Sequence, residues 1–282
     1  MKVLGIYHSA DLDGKCSGAI IRRRYPAAKL IGIDRGEPVP WDAIEDADRV
    51  ILSDYSFTLE EMLKIDEMVD FIWYDHHKSA IKDMEGHIFC GIQLTTQAGC
   101  ELTWLGLFGP RIPRVVESLG SYDSWRWVNE SPSVQERILN TQYGMMLNHW
   151  DPEEYMWQHL LDDDNDEQLH QIIVAGRTIR RFQAQTMKGI NTTGRVISWE
   201  GAVWFVVNTH MTSSNNYAAY VEAMDEVIHG VIAFHRRPNG WKYSMRQMDK
   251  NLDVSLIAKA YGGGGHAGAA SFYSAELIEA FA

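Results

Sequence analysis

Asp75, His76 and His77 stand side by side where an apolar run, Phe71-Ile72-Trp73-Tyr74, ends. A carboxylate beside two imidazoles is a ligand set for a divalent metal of intermediate softness. A motif this short also recurs by chance, and the same residues would serve in a polar loop whose histidines cap a following helix. Further ionisable groups recur at comparable places. His8, Asp11 and Asp13 follow the apolar residues 3–7 and are closed by Gly14; Asp54 follows residues 49–52; Asp123 sits within Gly120-Ser121-Tyr122-Asp123-Ser124-Trp125. Singly, each has a plain reading as a turn with an aspartate cap, a helix N-cap or a loop residue. Jointly they supply what two divalent ions about 3.5–4 Å apart require: a carboxylate to bridge, with imidazoles and carboxylates to terminate. Such a pair lowers the pKa of a water held between the ions and neutralises charge on the attacking and leaving oxygens of a phosphoryl transfer. Oxygen-rich ligation with one or two imidazoles suits Mn2+ or Mg2+ better than a thiolate zinc site.

Residues so far apart in sequence meet only if the fold delivers them to one edge. The first 130 residues alternate between strand and helix patterns. Strands are expected over 3–7, 30–33, 49–52 and 71–74, and a helix over 14–24, where Cys16, Ala19, Ile20 and Arg23 recur at helical spacing before Pro26. Thr58-Leu59-Glu60-Glu61 reads as a capping box. Strands separated by helices imply a mostly parallel sheet with crossovers. In such a sheet all carboxyl ends share one edge, and ligands bind there. Residues 97–119 read as helical, interrupted near Gly109-Pro110 and Pro113, and 132–190 as helix without strand, ending in a long amphipathic helix over 167–190. The acidic run Asp162-Asp163-Asp164-Asn165-Asp166 reads as a solvated loop.

From Gly194 strand patterns return at 203–207 and 231–234, and Asn239-Gly240 marks a hairpin into 241–245. Asp253 caps a helix through Tyr261, four consecutive glycines from Gly262 to Gly265 end it, and 269–273 forms a last strand. The fold class is therefore α/β in two domains. Residues 1–130 form a mostly parallel domain that carries the candidate metal ligands, 131–192 a helical linker, and 193–282 a smaller α/β domain.

The order of the clusters resembles that of a known family. His8-Ser9-Ala10-Asp11-Leu12-Asp13-Gly14, then Ser53-Asp54-Tyr55-Ser56, then Asp75-His76-His77, then Asp123 resemble the four motifs of the DHH phosphoesterases. Gly262-Gly263-Gly264-Gly265-His266-Ala267-Gly268-Ala269-Ala270-Ser271 resembles the glycine-rich signature of their associated DHHA1 domain. The resemblance covers both ends of the chain and leaves 132–190 unmatched. It implies that His8, Asp11 and Asp54 hold one metal, and that Asp13, Asp54, His76 and Asp123 hold the other, with Asp54 bridging. It implies His77 facing the substrate phosphate or the bridging water, and Asp75 orienting an imidazole through its ring N–H. The spacing in the first motif varies among family members, which leaves His8 the least constrained. In the DHHA1 part it implies that Arg246, Gly263, Gly264, Gly265 and His266 bind the substrate's phosphate end, in a cleft between the domains. Asn208, His210, Ser213, Ser214 and Asn215 could line that cleft or form a polar loop. Trp125 and Trp127 flank the Asp123 motif and could stack on a base or pack a helix against the sheet.

The chain's 282 residues, 45% hydrophobic and 23% charged, suit two globular domains. The formal net charge of −12 argues against a long nucleic-acid track, which wants a basic face. No apolar run approaches a membrane span, the N-terminus lacks a leader pattern, and Cys16, Cys90 and Cys100 have no metal-type spacing. A reducing cytoplasm fits best. The expectation is a two-metal phosphoesterase, with Mn2+ or Mg2+, acting on short oligonucleotides or small nucleotides: nano-RNA, linear dinucleotides or nucleoside 3′,5′-bisphosphates, as in oligoribonuclease and bisphosphate phosphatase members. The alternatives are a pyrophosphate or polyphosphate hydrolase, a single-strand exonuclease and, in another class, a nucleotide sensor without catalysis. A homodimer is left open.

Overall fold

The computed structural model describes residues 1–147, 150–162, 166–211 and 217–282. Two compact units divide between Arg180 and Arg181. In the first, five parallel strands, β1 (Val3–His8), β2 (Lys29–Ile33), β3 (Arg49–Ser53), β4 (Asp70–Asp75) and β5 (Gly91–Gln93), are ordered β2-β1-β3-β4-β5. Their crossovers carry α1 (Leu12–Arg24), α2 (Trp41–Glu45), α3 (Leu59–Met68) and α4 (Lys78–Asp83). Alternation along the strands sends side chains to both faces. Leu4, Ile6, Val50, Leu52, Phe71 and Trp73 join Ile44, Met62 and Ile65 in one core. Val3, Ile51 and Tyr74 face the other way, against Ile21 and Leu102. A sheet covered on both faces explains why these strands read as nearly continuous apolar runs.

The capping box at Thr58 forms as its sequence requires: Thr58 accepts from Glu61 N–H, and the Glu61 carboxylate accepts from Thr58 N–H. Gly109-Pro110 and Pro113 separate α5 (Gly99–Phe108) from α6 (Arg114–Asp123). A short 3-10 turn, Arg126–Asn129, follows, and then α7 (Pro132–Met145), α8 (Met156–Leu160) and α9 (Asp166–Asn191). Residues 132–169 do not stand apart from the sheet domain. Met145, Trp150, Trp157, Leu160, Leu161 and Leu169 share a core with Cys16, Ile20, Cys100, Trp104 and Val116 of α1, α5 and α6. Helix α9 runs across the division between the units.

The second unit has a six-stranded sheet of β6 (Arg195–Trp199), β7 (Ala202–Asn208), β8 (Gly230–Arg237), β9 (Gly240–Gln247), β10 (Gly264–His266) and β11 (Ala269–Ser274), ordered β10-β11-β9-β8-β7-β6. It is antiparallel except between β7 and β8. Its helices are α10 (Ala218–Glu222) and α11 (Val254–Ala260), and Asp253 caps the latter by accepting from Ser255 N–H. Arg237 pairs with Gly240 at the Asn239-Gly240 hairpin.

Three short strands carry no signal that periodicity could have caught. β5 and β10 have three residues each, and β6 has five with only partial burial. The glycine run is accordingly more than a helix terminator, because its last two glycines start β10. Ser213, Ser214, Asn215 and residues 163–165 of the acidic run lie outside the described residues. Among the described residues, no helix is long and apolar enough to cross a membrane.

Candidate metal centre

The strand order β2-β1-β3-β4-β5 reverses direction between β1 and β3, and open α/β sheets bind ligands at such a switch point, beyond the carboxyl ends of the strands. Register fixes what lies there. Tyr7 pairs with Ser53, and Ser53 with Tyr74, so His8, Asp54 and Asp75 come level on three adjacent strands. Asp54 leaves its strand at φ 57°, a left-handed conformation that aspartate tolerates better than most residues, while its N–H still donates to Tyr74 C=O. Asp11 caps α1 by accepting from Gly14 N–H at 3.0 Å, and Asp13 follows inside the first turn. Asp123 comes from the last residue of α6 rather than from a loop beyond it.

These residues converge. His76 Nε2 lies 3.2 Å from Asp54, 3.3 Å from Asp123 and 3.6 Å from Asp13. His8 Nδ1 lies 3.0 Å from Asp11 and 3.6 Å from Asp54. Among the described residues, three overlapping groups have ligand atoms close enough to share an ion: His8, Asp11 and Asp54; Asp13, His76 and Asp123; and Asp54, His76 and His77. Asp54 belongs to two of them. It is 1% exposed, yet neither carboxylate oxygen has a directed hydrogen bond, and His8 Nδ1 is likewise buried without one. The His–Asp approaches are thus close ion contacts rather than aligned hydrogen bonds. Buried acceptors left unpaired are costly, and a cation among them would satisfy them. The residues present therefore fit a divalent metal.

The electrostatics agree. Burial, then the charges of Asp54, Asp123 and Asp11, push Asp13 well above the usual carboxylate range. Burial and Asp54 raise Asp123 to about 6. Burial also pushes Asp54 upward, but the adjacent imidazoles of His76 and His8 outweigh it and hold this group at about 2. His8, beside Asp11 and Asp54, is raised to about 10. Carboxylates that repel one another in a buried cluster are relieved by positive charge, which protons or metal ions can supply.

Asp75 does something different. It is fully buried and outside the three ligand groups. Its Oδ1 accepts from His76 N–H at 2.7 Å and His77 N–H at 3.1 Å, and lies 2.7 Å from His77 Nδ1. It thus shapes the turn and orients the imidazole of His77. His77 stands at the N-cap position of α4 without a side-chain cap bond, so capping is not its role. Held through Nδ1, it lines a concavity together with His8, Arg35, Asp54, Tyr55, Ser56 and Ser79. Contact with Asp75 raises His77 to about 9.

Compared with solved structures, the chain is similar to a pGpG-specific phosphodiesterase, PggH, from Vibrio cholerae. That likeness covers 97% of this chain and 93% of that one, with a TM-score of 0.54 and 13% identity. It is also similar to the DHH domain of a member of a family of ribosomal proteins, over 96% of this chain and 82% of that one, with a TM-score of 0.59 and 12% identity. This chain has a DHH-type fold. No family model matches it, and no curated protein matches it in sequence.

Around the candidate metal centre, this DHH-type fold uses groups that motif reading passed over. Gly99 N–H and Cys100 N–H, at the start of α5, each donate to the Asp13 carboxylate at 2.8 Å. The helix N-terminus, with its partial positive charge, thereby fixes a candidate ligand. A Cβ on Gly99 would fall 2.5 Å from the Asp54 side chain, so this turn tolerates only glycine. Asp34, just past β2, has a carboxylate oxygen 3.5 Å from His8 Nε2. Asp34 stands directly after a strand, as Asp54 does, so its position was a usable signal, and glycine a few residues before Thr103-Trp104 in a helical pattern could have been suspected of a close approach.

In the second unit, Arg246, Gly264 and Gly265 line one concavity with Lys242, Ser244, Ala269, Ala270 and Ser271. Arg246 pairs with Ala269, and Ala269 with His266, so Arg246 and His266 stand on the same face of the sheet, two strands apart. Burial lowers the pKa of Arg246. Gly263 is spent on packing: a Cβ there would meet Ser271 C=O at 2.2 Å. His210, on the loop after β7, does not line the concavity.

Proposed function

We propose that the chain is a two-metal phosphoesterase, using Mn2+ with Mg2+ as a substitute, that hydrolyses short oligonucleotides or small nucleotides. One observation carries the reading: Asp54, buried with both oxygens unpaired, belongs to two candidate ligand groups at the sheet's switch point. In this reading His8, Asp11 and Asp54 hold one ion, and Asp13, Asp54, His76 and Asp123 the other. When bound, the ions supply an activated water at neutral pH and charge to offset that developing on the phosphoryl oxygens.

The chain's own residues do the rest. The α5 N–H groups hold Asp13 in place, so its carboxylate needs no reorganisation. Asp75 keeps His77 in one orientation, and the proton that contact favours leaves a donor on Nε2 for a phosphate oxygen or the departing one. In the second unit, Arg246, Gly264, Gly265 and His266 grip the substrate's phosphate end, with Lys242 adding charge. A guanidinium offers a paired donor geometry for phosphate that an ammonium lacks. The net charge of −12 and the local cationic face favour a short substrate over a long strand. The likeness to PggH is one of fold, and it is in keeping with a linear dinucleotide as the first substrate to try. The free thiols Cys16, Cys90 and Cys100 suit a cytoplasmic setting.

A hydrolysis panel with Mn2+ tests the proposal: a linear dinucleotide, a five-nucleotide RNA, adenosine 3′,5′-bisphosphate, a cyclic dinucleotide and pyrophosphate. Turnover of the dinucleotide, the short RNA or the bisphosphate, lost in Asp54→Ala, is expected. Turnover of pyrophosphate alone would move the chain to phosphoanhydride hydrolysis. Full manganese-dependent activity in Asp54→Ala would overturn the two-metal mechanism.

A further inference from the structure

Trp125 is out of place for a residue with only a structural role. It is 59% exposed, and its backbone is left-handed, at φ 58°. A bulky side chain in that conformation is a true outlier, and such strain persists only where the surroundings over-determine it. Here they do. Trp125 N–H donates to Tyr122 C=O at the end of α6. Next to it, Ser124 donates its hydroxyl to Gly120 C=O. On the other side, Arg126 Nε donates to Ser124 Oγ at 2.9 Å, and its Nη2 donates to Glu101 Oε2 at 2.5 Å. Glu101 is buried at the first turn of α5, where the same oxygen accepts from Ala98 N–H. Both neighbours of the strained residue are therefore anchored, Ser124 to α6 and Arg126 to the helix whose N-terminus holds Asp13.

The nearby Trp127 shows what an ordinary tryptophan does here. It is buried against Ile138 and Leu139 and stacks on Tyr122, with centroids 6.4 Å apart and planes 10° apart. The Trp125 ring lies 6.2 Å from it, tilted by 31°, so Trp127 backs Trp125 from one side and leaves the rest to solvent. The tight turn keeps Trp125 within two residues of Asp123, whose carboxylate lies 3.3 Å from His76. Exposing a large apolar ring on a strained backbone gives the fold nothing in return. An exposed aromatic face two residues from a candidate metal ligand suits one ligand group above others, the flat π-face of a nucleobase.

We propose that Trp125 is a specificity-determining residue that stacks on a base of the substrate, so that the site selects nucleotides over base-free phosphates. The proposal rests on the phosphoesterase reading above and sharpens its substrate class. It is tested by comparing the whole protein with Trp125→Ala, Trp125→Phe and Trp125→Gly on two Mn2+-supported substrates: a linear diadenylate and its abasic counterpart, with the same ribose–phosphate chain but no bases. Trp125→Ala should raise KM for the diadenylate about 10-fold, the scale of one base–aromatic stack, with kcat little changed. Trp125→Phe should keep most of the wild-type KM, and the abasic substrate should not distinguish the variants. Trp125→Gly, in which glycine relaxes the left-handed backbone, should melt no lower than wild type yet share the alanine defect. Equal effects on both substrates, no effect on either, or a wild-type KM in Trp125→Gly would overturn the proposal.

Failure of the phosphoesterase reading is seen separately, as wild-type protein that hydrolyses neither nucleotide substrate. In that case calorimetric binding of diadenylate to the metal-free protein still decides the role of Trp125. About 10-fold weaker binding to Trp125→Ala than to wild type supports stacking, and equal binding overturns it.

Discussion

At the edge of the parallel sheet, Asp13, Asp54 and Asp75 are buried acids facing imidazoles, with several polar atoms left unpaired. On the antiparallel face of the second unit the half-buried charge is Arg246, and among the described residues no acid lines its concavity. Both regions gather charge, the first fully buried and the second partly exposed, with opposite sign and by different means. The first assembles ligands from four separate segments at a topological switch point. The second uses alternate residues of one strand, Lys242, Ser244 and Arg246, beside small residues of β10 and β11. An anionic cluster with unmet lone pairs is built to take cations, whereas a cationic face with small neighbours is built to take an anion of some bulk. The contrast is in keeping with the proposal that the first unit carries the chemistry and the second grips the substrate.

Removing the shared carboxylate should separate the two most. Asp54→Ala is expected to lower Mn2+-dependent kcat by on the order of 10^3-fold, since metal stabilisation of the transition state is worth several kcal/mol, while binding of a nucleotide to the metal-free protein changes little. Arg246→Ala should do the reverse, raising KM by roughly 10- to 100-fold, as expected for loss of a charge-assisted hydrogen bond, with kcat nearly preserved. Steady-state kinetics on the two variants gives both numbers, and a matching kcat loss in Arg246→Ala would erase the division of labour.

Smaller effects probe the supports of the first site. Asp75→Asn should reduce activity roughly 10- to 100-fold through a misdirected His77, without changing the number of ions bound, which metal titration would count. Gly99→Ala should destabilise the protein by about 1–3 kcal/mol, the usual cost of forcing an atom into a packed site, and weaken metal binding; chemical denaturation and the same titration measure the two.

Protons give the mildest test. In the metal-free protein His8 is raised from 6.5 to about 10, so its charged form contributes stability in full below about 6.5 and loses that contribution as pH rises through about 10. Thermal unfolding without metal should therefore show a declining midpoint across that window, with a smaller decline in His8→Gln. Because ligation needs neutral imidazole, Mn2+ binding at neutral pH should release protons, which calorimetry in buffers of different ionisation enthalpy detects. The second unit's face should show no such release.

The sequence carried the fold class well because its signals are local. Apolar strands, the Thr58 capping box and the Asn239-Gly240 hairpin each depend on a handful of adjacent residues. It failed where elements were too short for periodicity to register, as at β5, β6 and β10. The stretch 131–192 read as a linker because amphipathic spacing does not say which surface a helix will cover, and its residues 145–169 pack on α1, α5 and α6.

Within the site, the acids and imidazoles were legible by type and order, since few folds need a carboxylate at every strand end. Gly99 and the Glu101–Arg126 pair were not, because each matters through a partner distant in sequence. The sequence by itself determined the inventory: which ligands exist, and that an alternating fold would send them to a common edge. Tertiary structure decided the assignments. Strand order and register put Asp54 between two groups of ligands, Asp75 behind His77, and the helix N-terminus of α5 behind Asp13. It also divided two neighbouring tryptophans into one that packs and one left facing solvent. Those outcomes depend on register and on turns of a few ångströms, and no short-range pattern of residues encodes distances between segments a hundred positions apart.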